Sequence, residues 1–150
     1  MMTNRMKLEF ERLKPLFVQA GKRYGFAPYI LAAIAWRESN FGVSLDPKGF
    51  GDKGNGFGIM QVDSRSHKPV GSPSSIEHIM QASEILNNMR NTIANKFRDW
   101  NPNDILRGAI AAYNFGADNV RSIEHVDVGT TNNNYSADVL AKAKILKDLF

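Results

Sequence analysis

The stretch LAAIAWRESNFG, residues 31–42, predicts a helix that the rest of the protein encloses and that ends in a carboxylate. The spacing i, i+4, i+7 places Glu38 on the same helical face as Leu31 and Ala35, so the acid continues an apolar stripe. The other faces of this helix are apolar as well, which is typical of a helix buried on all sides. An ionisable group at such a place needs a reason, because burying an unpaired charge is costly.

Two explanations of Glu38 are open from these residues alone. Desolvation and the negative end of the helix both disfavour a charged carboxylate, which is the condition that a general acid needs near neutral pH. The plainer alternative is an ion pair with Arg37 or another cation at a helix end.

The segment that follows, residues 41–63, is rich in glycine and breaks the helical pattern. Such glycines permit positive φ angles and tight reversals, so we predict a long shaped loop in which GIMQV (58–62) forms a small β element. Asp52 lies in the loop and Asp63 follows the expected strand. An aspartate in a glycine-rich turn is usually a turn former. Together with Glu38, however, the two aspartates offer what glycoside hydrolysis requires, one acid to protonate the glycosidic oxygen and another to activate water or stabilise positive charge.

Most of the remaining chain has helical periodicity, which makes the predicted fold class mainly α (α+β), with one domain over residues 1–150. A kink at Pro15 is expected to separate the first two helices. A capping box of Ser74 and Glu77 begins what should be the longest helix, and Asn101 caps another. The predicted helices cover residues 6–13, 15–24, 28–40, the stripe from 79 to 97, 102–113 and 135–150.

Composition narrows the class of partner. The net charge of +4 and the pI near 9.4 favour an anionic partner such as a bacterial envelope, an acidic glycan or nucleic acid. Nucleic acid is disfavoured because no basic run exceeds two residues and no recognition motif occurs. No apolar run reaches the roughly 18 residues that a membrane span needs. The start, MMTNRMKLEFERLK, lacks a secretory signal, so we expect the chain to be leaderless or to have lost a leader.

No metal or cofactor is predicted. The sequence contains no cysteine, which leaves neither disulfides nor thiolate metal sites. His67, His78 and His125 show no spacing suited to zinc, and we expect ordinary surface or capping roles for all three. The aromatic residues Trp36, Phe57, Trp100, Tyr113 and Tyr135 could stack on sugars or simply pack, and core packing is the better interpretation for Trp36.

Four motifs occur in order along the chain: WRESNFG (36–42), GDKGNGFGIMQVDSRSHKPVG (51–71), AAYNFGADNVRS (111–122) and VGTTNNNYSADV (128–139). Together they resemble the goose-type lysozymes and, more distantly, the catalytic domain of soluble lytic transglycosylases. The similarity runs from Phe10 to the C-terminus, which leaves residues 1–9 as an N-terminal extension.

The resemblance implies a lysozyme-like single domain with its glycine-rich loop and small β element beside a cleft. It also implies inverting hydrolysis of the β-1,4 bond between N-acetylmuramic acid and N-acetylglucosamine in peptidoglycan. Glu38 would be the general acid, and Asp52 and Asp63 would position the attacking water. The residues that the resemblance assigns to substrate binding are Gln61, the backbone of 58–60 including Met60, Tyr113, Asn114 and, less directly, His67 and Tyr135. Phe57, one of the aromatic residues that could stack on sugars, is a further candidate for substrate binding.

Two alternatives stay open. In a lytic transglycosylase Glu38 would act as acid and then base, and the muramyl 6-hydroxyl would attack to leave a 1,6-anhydro end; the two aspartates favour water instead. In a wall-binding module the fold would persist without activity. In each case the expected partners are peptidoglycan strands and the anionic bacterial wall. We expect the protein to be a monomer and to act outside the cell or in the periplasm. A compact chain without cysteine or leader is similar to bacterial or phage wall-lysis enzymes, which suggests export of that kind.

Overall fold

Five α-helices and a small antiparallel sheet form the computed structural model, which describes residues 1–150. The helices are α1 (Asn4–Tyr24), α2 (Pro28–Ser39), α3 (Ile76–Lys96), α4 (Pro102–Phe115) and α5 (Tyr135–Lys147). The strands are β1 (Phe50–Gly51), β2 (Gly56–Phe57) and β3 (Val62–Asp63). The predicted mainly α class is confirmed. None of these helices is both long and apolar enough to cross a membrane.

The chain divides into two compact units. The first unit contains residues 1–83 and 142–150, and the second contains residues 84–141. The prediction of one domain over residues 1–150 stays a prediction.

In the first unit, α1 is one continuous helix, so the prediction of two pieces separated at Pro15 is wrong. Phe10 and Leu13 before the proline and Phe17 after it are all buried. Their shared burial holds both halves in one line and outweighs the backbone hydrogen bond that Pro15 removes. The predicted extension, residues 1–9, is not separate either, because residues 4–9 form the first turns of this helix.

Both ends of α1 are capped in ways that match their residue types. The Met6 backbone N–H donates to Thr3 Oγ1 over 3.2 Å, which satisfies one of the unpaired donors of the first turn. Gly25 ends the helix at φ 74°, a left-handed conformation that glycine adopts without strain. The predicted end of this helical segment at residue 24 is confirmed.

α2 is enclosed as predicted. Every side chain from Ile30 to Trp36 is buried. Trp36 packs at 6.1 Å from the Phe41 ring, and Lys142 Nζ lies 5.1 Å from the Trp36 ring centroid. The prediction that Trp36 serves in packing is therefore confirmed.

The small β element exists, but GIMQV is not its strand. Residues 58–61 form a tight turn, and only Val62 of that segment is extended. The turn carries left-handed residues at both ends, Gly58 at φ 80° and Gln61 at φ 53°, and such angles are incompatible with a strand. The sheet order is β1-β2-β3, in which Phe50 pairs with Phe57 and Gly56 with Asp63.

α3 begins differently from the prediction. The His78 backbone N–H donates to Ser75 Oγ over 3.1 Å, so the cap is Ser75 and not Ser74. This shift by one residue changes which side chain sits in the first turn facing the core. α3 has 21 residues, the same length as α1, so it is not the longest helix alone.

The second unit has its own apolar core. The cap predicted for α4 is confirmed, because the Asp104 backbone N–H donates to Asn101 Oδ1 over 2.8 Å. α5 begins at Tyr135 as predicted and ends at Lys147, three residues before the predicted end. The buried residues of this core are Ile93, Ala111, Ala112, Val120 and Val126.

Candidate active site

Glu38 lies in the last turn of α2 and is half-buried, so the prediction of a fully buried carboxylate was too strong. The helix ends one residue later, and Asn40 turns the chain in a left-handed conformation at φ 52°. The acid therefore sits where an enclosed helix meets the glycine-rich loop. That position combines a rigid support with access for a ligand.

Ser39 fixes this end of α2 to the loop. Its side chain is 2% exposed, and Oγ donates to the Ile59 carbonyl over 2.7 Å while accepting the Gly42 N–H over 2.9 Å. The residue next to Glu38 is thus bonded to the turn that precedes β3. The sequence interpretation missed this role, although Ser39 directly follows the acid.

Asp52 is exposed in a 3₁₀ turn, Asp52–Gly54, with φ 50°. The glycines on either side have a packing reason. A Cβ on Gly56 would lie 2.1 Å from Gln61 Oε1 and one on Gly51 would lie 2.7 Å from it, so both positions must be glycine for the Gln61 amide to fit. Gln61 Nε2 donates to the Gly58 carbonyl over 2.9 Å.

Asp63 ends β3 and is held by one neighbour. Arg65 Nε lies 3.0 Å from Asp63 Oδ1 and Nη2 lies 3.1 Å from Oδ2, and the Arg65 backbone N–H also donates to Oδ1 over 2.9 Å. The hydrogen bonds from the Arg65 side chain hold the pKa of Asp63 below its ordinary value, against a smaller opposing effect of burial. Asp63 is therefore an ionised acceptor at neutral pH and suits the role of a base.

Arg65 links the two aspartates electrostatically. Hydrogen bonds to Asp63 raise the pKa of Arg65, and the charge of Asp52 adds to that effect. The sheet register is consistent with an electrostatic effect of both aspartates on Arg65. Gly51, the neighbour of Asp52, and Asp63 lie two strands apart, about 10 Å at the usual strand spacing. The sequence interpretation missed Arg65, whose only signal is its place two residues after Asp63. His67 is exposed, and its charge also helps to lower the pKa of Asp63.

The backbone of residues 58–60 was predicted to contact sugar N-acetyl groups, and the structure gives its polar groups partners inside the protein instead. Gly58 N–H donates to the Gly49 carbonyl over 2.8 Å, and Ile59 N–H donates to the Pro73 carbonyl over 2.9 Å. Met60 N–H donates to His78 Nε2 over 3.0 Å. These three N–H groups are used inside the protein, and contact between this backbone and a sugar stays a prediction.

Phe57 and Met60, both predicted to meet substrate, are buried. Phe57 packs edge-on against Phe50 at 5.1 Å and against the His78 ring at 5.8 Å. Of the two roles open to Phe57 in the sequence, packing is the one that this geometry favours.

His78 is fully buried, so the prediction of a surface or capping role for it is wrong. Burial lowers its pKa to about 4, which leaves the imidazole neutral at neutral pH. A signal for this was present in the sequence. His78 precedes Ala82 and Leu86 by four and eight residues, so it extends the apolar stripe of α3.

The other predicted binding residues lie in the second unit. Tyr113 and Asn114 occupy the last turn of α4 and are half-buried. Asn114 Oδ1 accepts the Thr131 N–H over 3.0 Å, and Asn114 Nδ2 donates to Thr131 Oγ1 over 3.1 Å. Tyr135 is 1% exposed, so its ring offers almost no surface to a ligand in this state. Sugar binding by these three residues stays a prediction.

Asp127, also in the second unit, lies before α5 and caps the start of that helix. It is 7% exposed and accepts the backbone N–H groups of Ser136 over 2.8 Å and of Ala137 over 3.0 Å. Arg107 Nη2 lies 3.6 Å from its carboxylate. Burial acts to raise the pKa of Asp127, but these hydrogen bonds and the Arg107 charge lower it further than burial raises it. The carboxylate is a helix cap and fixes the chain around Tyr135.

The matching family model and three of the chain's relatives are all described as lysozyme g. The family model described as Lysozyme g matches residues 1–149. The lysozyme g of Struthio camelus is 47% identical over 137 residues, which are 91% of this chain and 67% of that protein. The lysozyme G of Dromaius novaehollandiae is 44% identical over 147 residues, 98% of this chain and 72% of that protein. The lysozyme g of Gallus gallus is 43% identical over 136 residues, 91% of this chain and 64% of that protein.

Proposed function

Because the chain belongs to the lysozyme g family, we propose that it hydrolyses the β-1,4 bond between N-acetylmuramic acid and N-acetylglucosamine in peptidoglycan. The family membership confirms the resemblance predicted from the four motifs and makes the chain a glycoside hydrolase. The observation that carries the proposal is that two carboxylates lie in different environments, which suit different roles. Glu38 is half-buried on a rigid helix end, and Asp63 is kept ionised by Arg65.

In the proposed mechanism Glu38 is the general acid. It gives its proton to the glycosidic oxygen as the bond to the anomeric carbon breaks, so the departing sugar leaves as an alcohol. Positive charge develops on the ring that keeps the anomeric carbon. The bonded position of Ser39 supports this role, because it limits the freedom of the adjacent acid.

Asp63 is proposed as the base that positions the water. It takes a proton as the water oxygen bonds to the anomeric carbon from the face opposite the leaving group, which inverts the configuration. Asp52 is proposed to assist in placing this water and in balancing the developing charge. The partial exposure of Asp63 supports the assignment, since water can reach its ionised carboxylate.

Transglycosylation is the second candidate reaction. There the muramyl 6-hydroxyl attacks in place of water, and Glu38 alone supplies acid and base. That route leaves the Asp63–Arg65 pair without a chemical task, so the pair favours hydrolysis.

Mass spectrometry of fragments released from purified peptidoglycan tests the proposal. We expect reducing-end muropeptides from the wild type and none from Glu38→Gln. Glu77→Gln is the matched control, because Glu77 is exposed and its replacement removes the same charge. Anhydro-muramyl ends from the wild type would replace hydrolysis by transglycosylation. The absence of fragments from both the wild type and Glu77→Gln would contradict any lytic activity.

We further propose that the enzyme acts as a monomer at the anionic bacterial wall. Its net charge of +4 supports long-range attraction to that surface. Wall lysis should therefore slow as ionic strength rises, because salt screens charges separated by more than about 10 Å at 0.1 M. A rate that is flat from low to high salt would contradict this contribution.

A further inference from the structure

The turn of residues 58–61 decides where Asp63 lies. It joins β2 to β3, and β3 is only two residues long. A displacement of the turn backbone would therefore also displace Asp63, the last residue of β3. The Gln61 N–H closes the turn on the Gly58 carbonyl over 3.0 Å. A short strand has little cooperativity of its own, so the position of the turn depends on its outside partners.

Besides the Gly49 carbonyl, which accepts the Gly58 N–H, three partners outside the turn hold its central residues, Ile59 and Met60. The Pro73 carbonyl accepts the Ile59 N–H over 2.9 Å, and Ser39 Oγ donates to the Ile59 carbonyl over 2.7 Å. The third partner is His78 Nε2, which accepts the Met60 N–H over 3.0 Å. His78 joins the turn to the long helix α3, and Ser39 joins it to the helix that bears Glu38.

The chemistry of His78 suits this bond. An imidazole nitrogen accepts an N–H only when it carries no proton, so the ring is neutral, its proton resides on Nδ1, and Nε2 is free to accept. The chain also makes room for the ring. A Cβ on residue 58 would lie 2.3 Å from the imidazole, so the ring requires glycine at that position.

Packing alone does not explain a histidine here. His78 Nδ1 is buried and has no hydrogen-bond partner in the protein. A buried donor without a partner lowers stability, and an apolar side chain of similar size would avoid that loss. The imidazole is therefore retained for what Nε2 does.

We propose that His78 is a positioning residue for hydrolysis, which holds the turn of residues 58–61 through Met60 and thereby sets Asp63 relative to Glu38. The inference rests on the proposed function for its catalytic consequence. The hydrogen bond itself is independent of that function and is tested separately.

The experiment compares His78→Leu, which removes the acceptor, with His78→Gln, whose amide oxygen reaches about as far as Nε2. His125→Leu is the matched control, because His125 is exposed and lies in the second unit. For His78→Leu we expect kcat on soluble peptidoglycan fragments to fall about tenfold or more, with KM little changed, since misplacement of a reacting group acts on the chemical step. His78→Gln should recover most of the loss, and His125→Leu should match the wild type.

Amide hydrogen exchange at Met60, followed by NMR, reads the bond directly. We expect exchange about tenfold faster in His78→Leu and near the wild-type rate in His78→Gln. If His78→Leu does not fold, His78→Asn takes its place, because its shorter side chain falls short of Met60 while remaining an amide.

Equal kcat in the wild type and the acceptor-free variant would overturn the proposal. So would equal kcat losses in the Gln variant and the acceptor-free variant, or an unchanged Met60 exchange rate. If the wild type releases no reducing ends, the proposed function fails, and the exchange rates alone then decide whether His78 holds the turn.

Discussion

Asp63 in the first unit and Asp127 in the second each lie beside an arginine, Arg65 and Arg107 respectively. Both have a lowered pKa, but their surroundings differ. Asp127 is buried, and two backbone N–H groups at the start of α5 use its carboxylate. Asp63 is partly exposed, and apart from its own neighbour Arg65 no residue is bonded to its carboxylate oxygens.

The difference teaches how to separate a carboxylate of the scaffold from one available for chemistry. A lowered pKa and an arginine contact are common to both, so neither identifies a site alone. The informative feature is the exposure of the carboxylate oxygens. Those of Asp127 are buried and bonded to backbone N–H groups, whereas those of Asp63 are partly exposed and accessible to a ligand. Substitutions of Glu38, Asp63 and Asp127 test this contrast.

The largest effect is expected for Glu38→Gln. Removal of the proton donor should lower kcat by about 10³-fold, within the range that general acids contribute, while the melting temperature stays near the wild-type value. Steady-state rates on soluble peptidoglycan fragments and a thermal melt measure both quantities. A loss below tenfold would remove Glu38 from the chemistry.

Asp63→Asn should lower kcat by about 10²-fold, because an amide accepts no proton from water. Its stability should change by less than about 1 kcal/mol, since the pair with Arg65 is exposed. The control is Asp148→Asn, an exposed aspartate near the C-terminus. Kinetics and urea unfolding give the two numbers, and a destabilised but fully active variant would make Asp63 a scaffold residue.

Asp127→Asn should show the reverse pattern. One amide oxygen replaces two carboxylate oxygens, so a cap hydrogen bond and the attraction to Arg107 are lost, at about 2 kcal/mol of unfolding free energy. The folded fraction should retain kcat within a few fold. If kcat fell as far as in Asp63→Asn while stability was unchanged, the contrast between the two aspartates would not hold.

A smaller effect is expected from pH through His78. Its pKa is about 4 when folded and near 6.5 when unfolded, so the unfolded chain binds the proton more readily between those values. Stability should fall as pH drops through this window, by about 2 kcal/mol between neutral pH and pH 5. Burial of the ring causes the shift, and the imidazole contacts Phe57, Gly58 and the Met60 N–H.

Urea unfolding of the wild type and His78→Gln at several pH values measures the contribution of His78 to the pH dependence of the unfolding free energy. The variant should lack the loss between pH 6.5 and pH 4. The same slope in both proteins would assign the pH dependence to other groups.

The sequence predicted the helices best where strong periodicity met a capping residue. The enclosed α2 and the start of α4 at Asn101 were correct for that reason. The break at Pro15 was wrong because tertiary burial of α1 overrides a local signal, and local signals were the only information used.

The candidate site divides in the same way. Its acids could be predicted, because Glu38, Asp52 and Asp63 are chemically conspicuous in their motifs. Their supports could not, because Ser39, Arg65 and His78 act through contacts that depend on the folded loop. The GIMQV strand failed for a related reason, since the left-handed angles of Gly58 and Gln61 belong to a turn whose partners lie in the folded loop.

The configuration of the first product tests the central claim most directly. Proton NMR of a soluble peptidoglycan oligomer, recorded within seconds to minutes of adding enzyme, reports which anomer appears before mutarotation. We expect the α-anomer first, because water positioned by Asp63 attacks the β-linked carbon from the opposite face. The β-anomer first, or a 1,6-anhydro end, would contradict a mechanism in which Glu38 is the acid and Asp63 is the base.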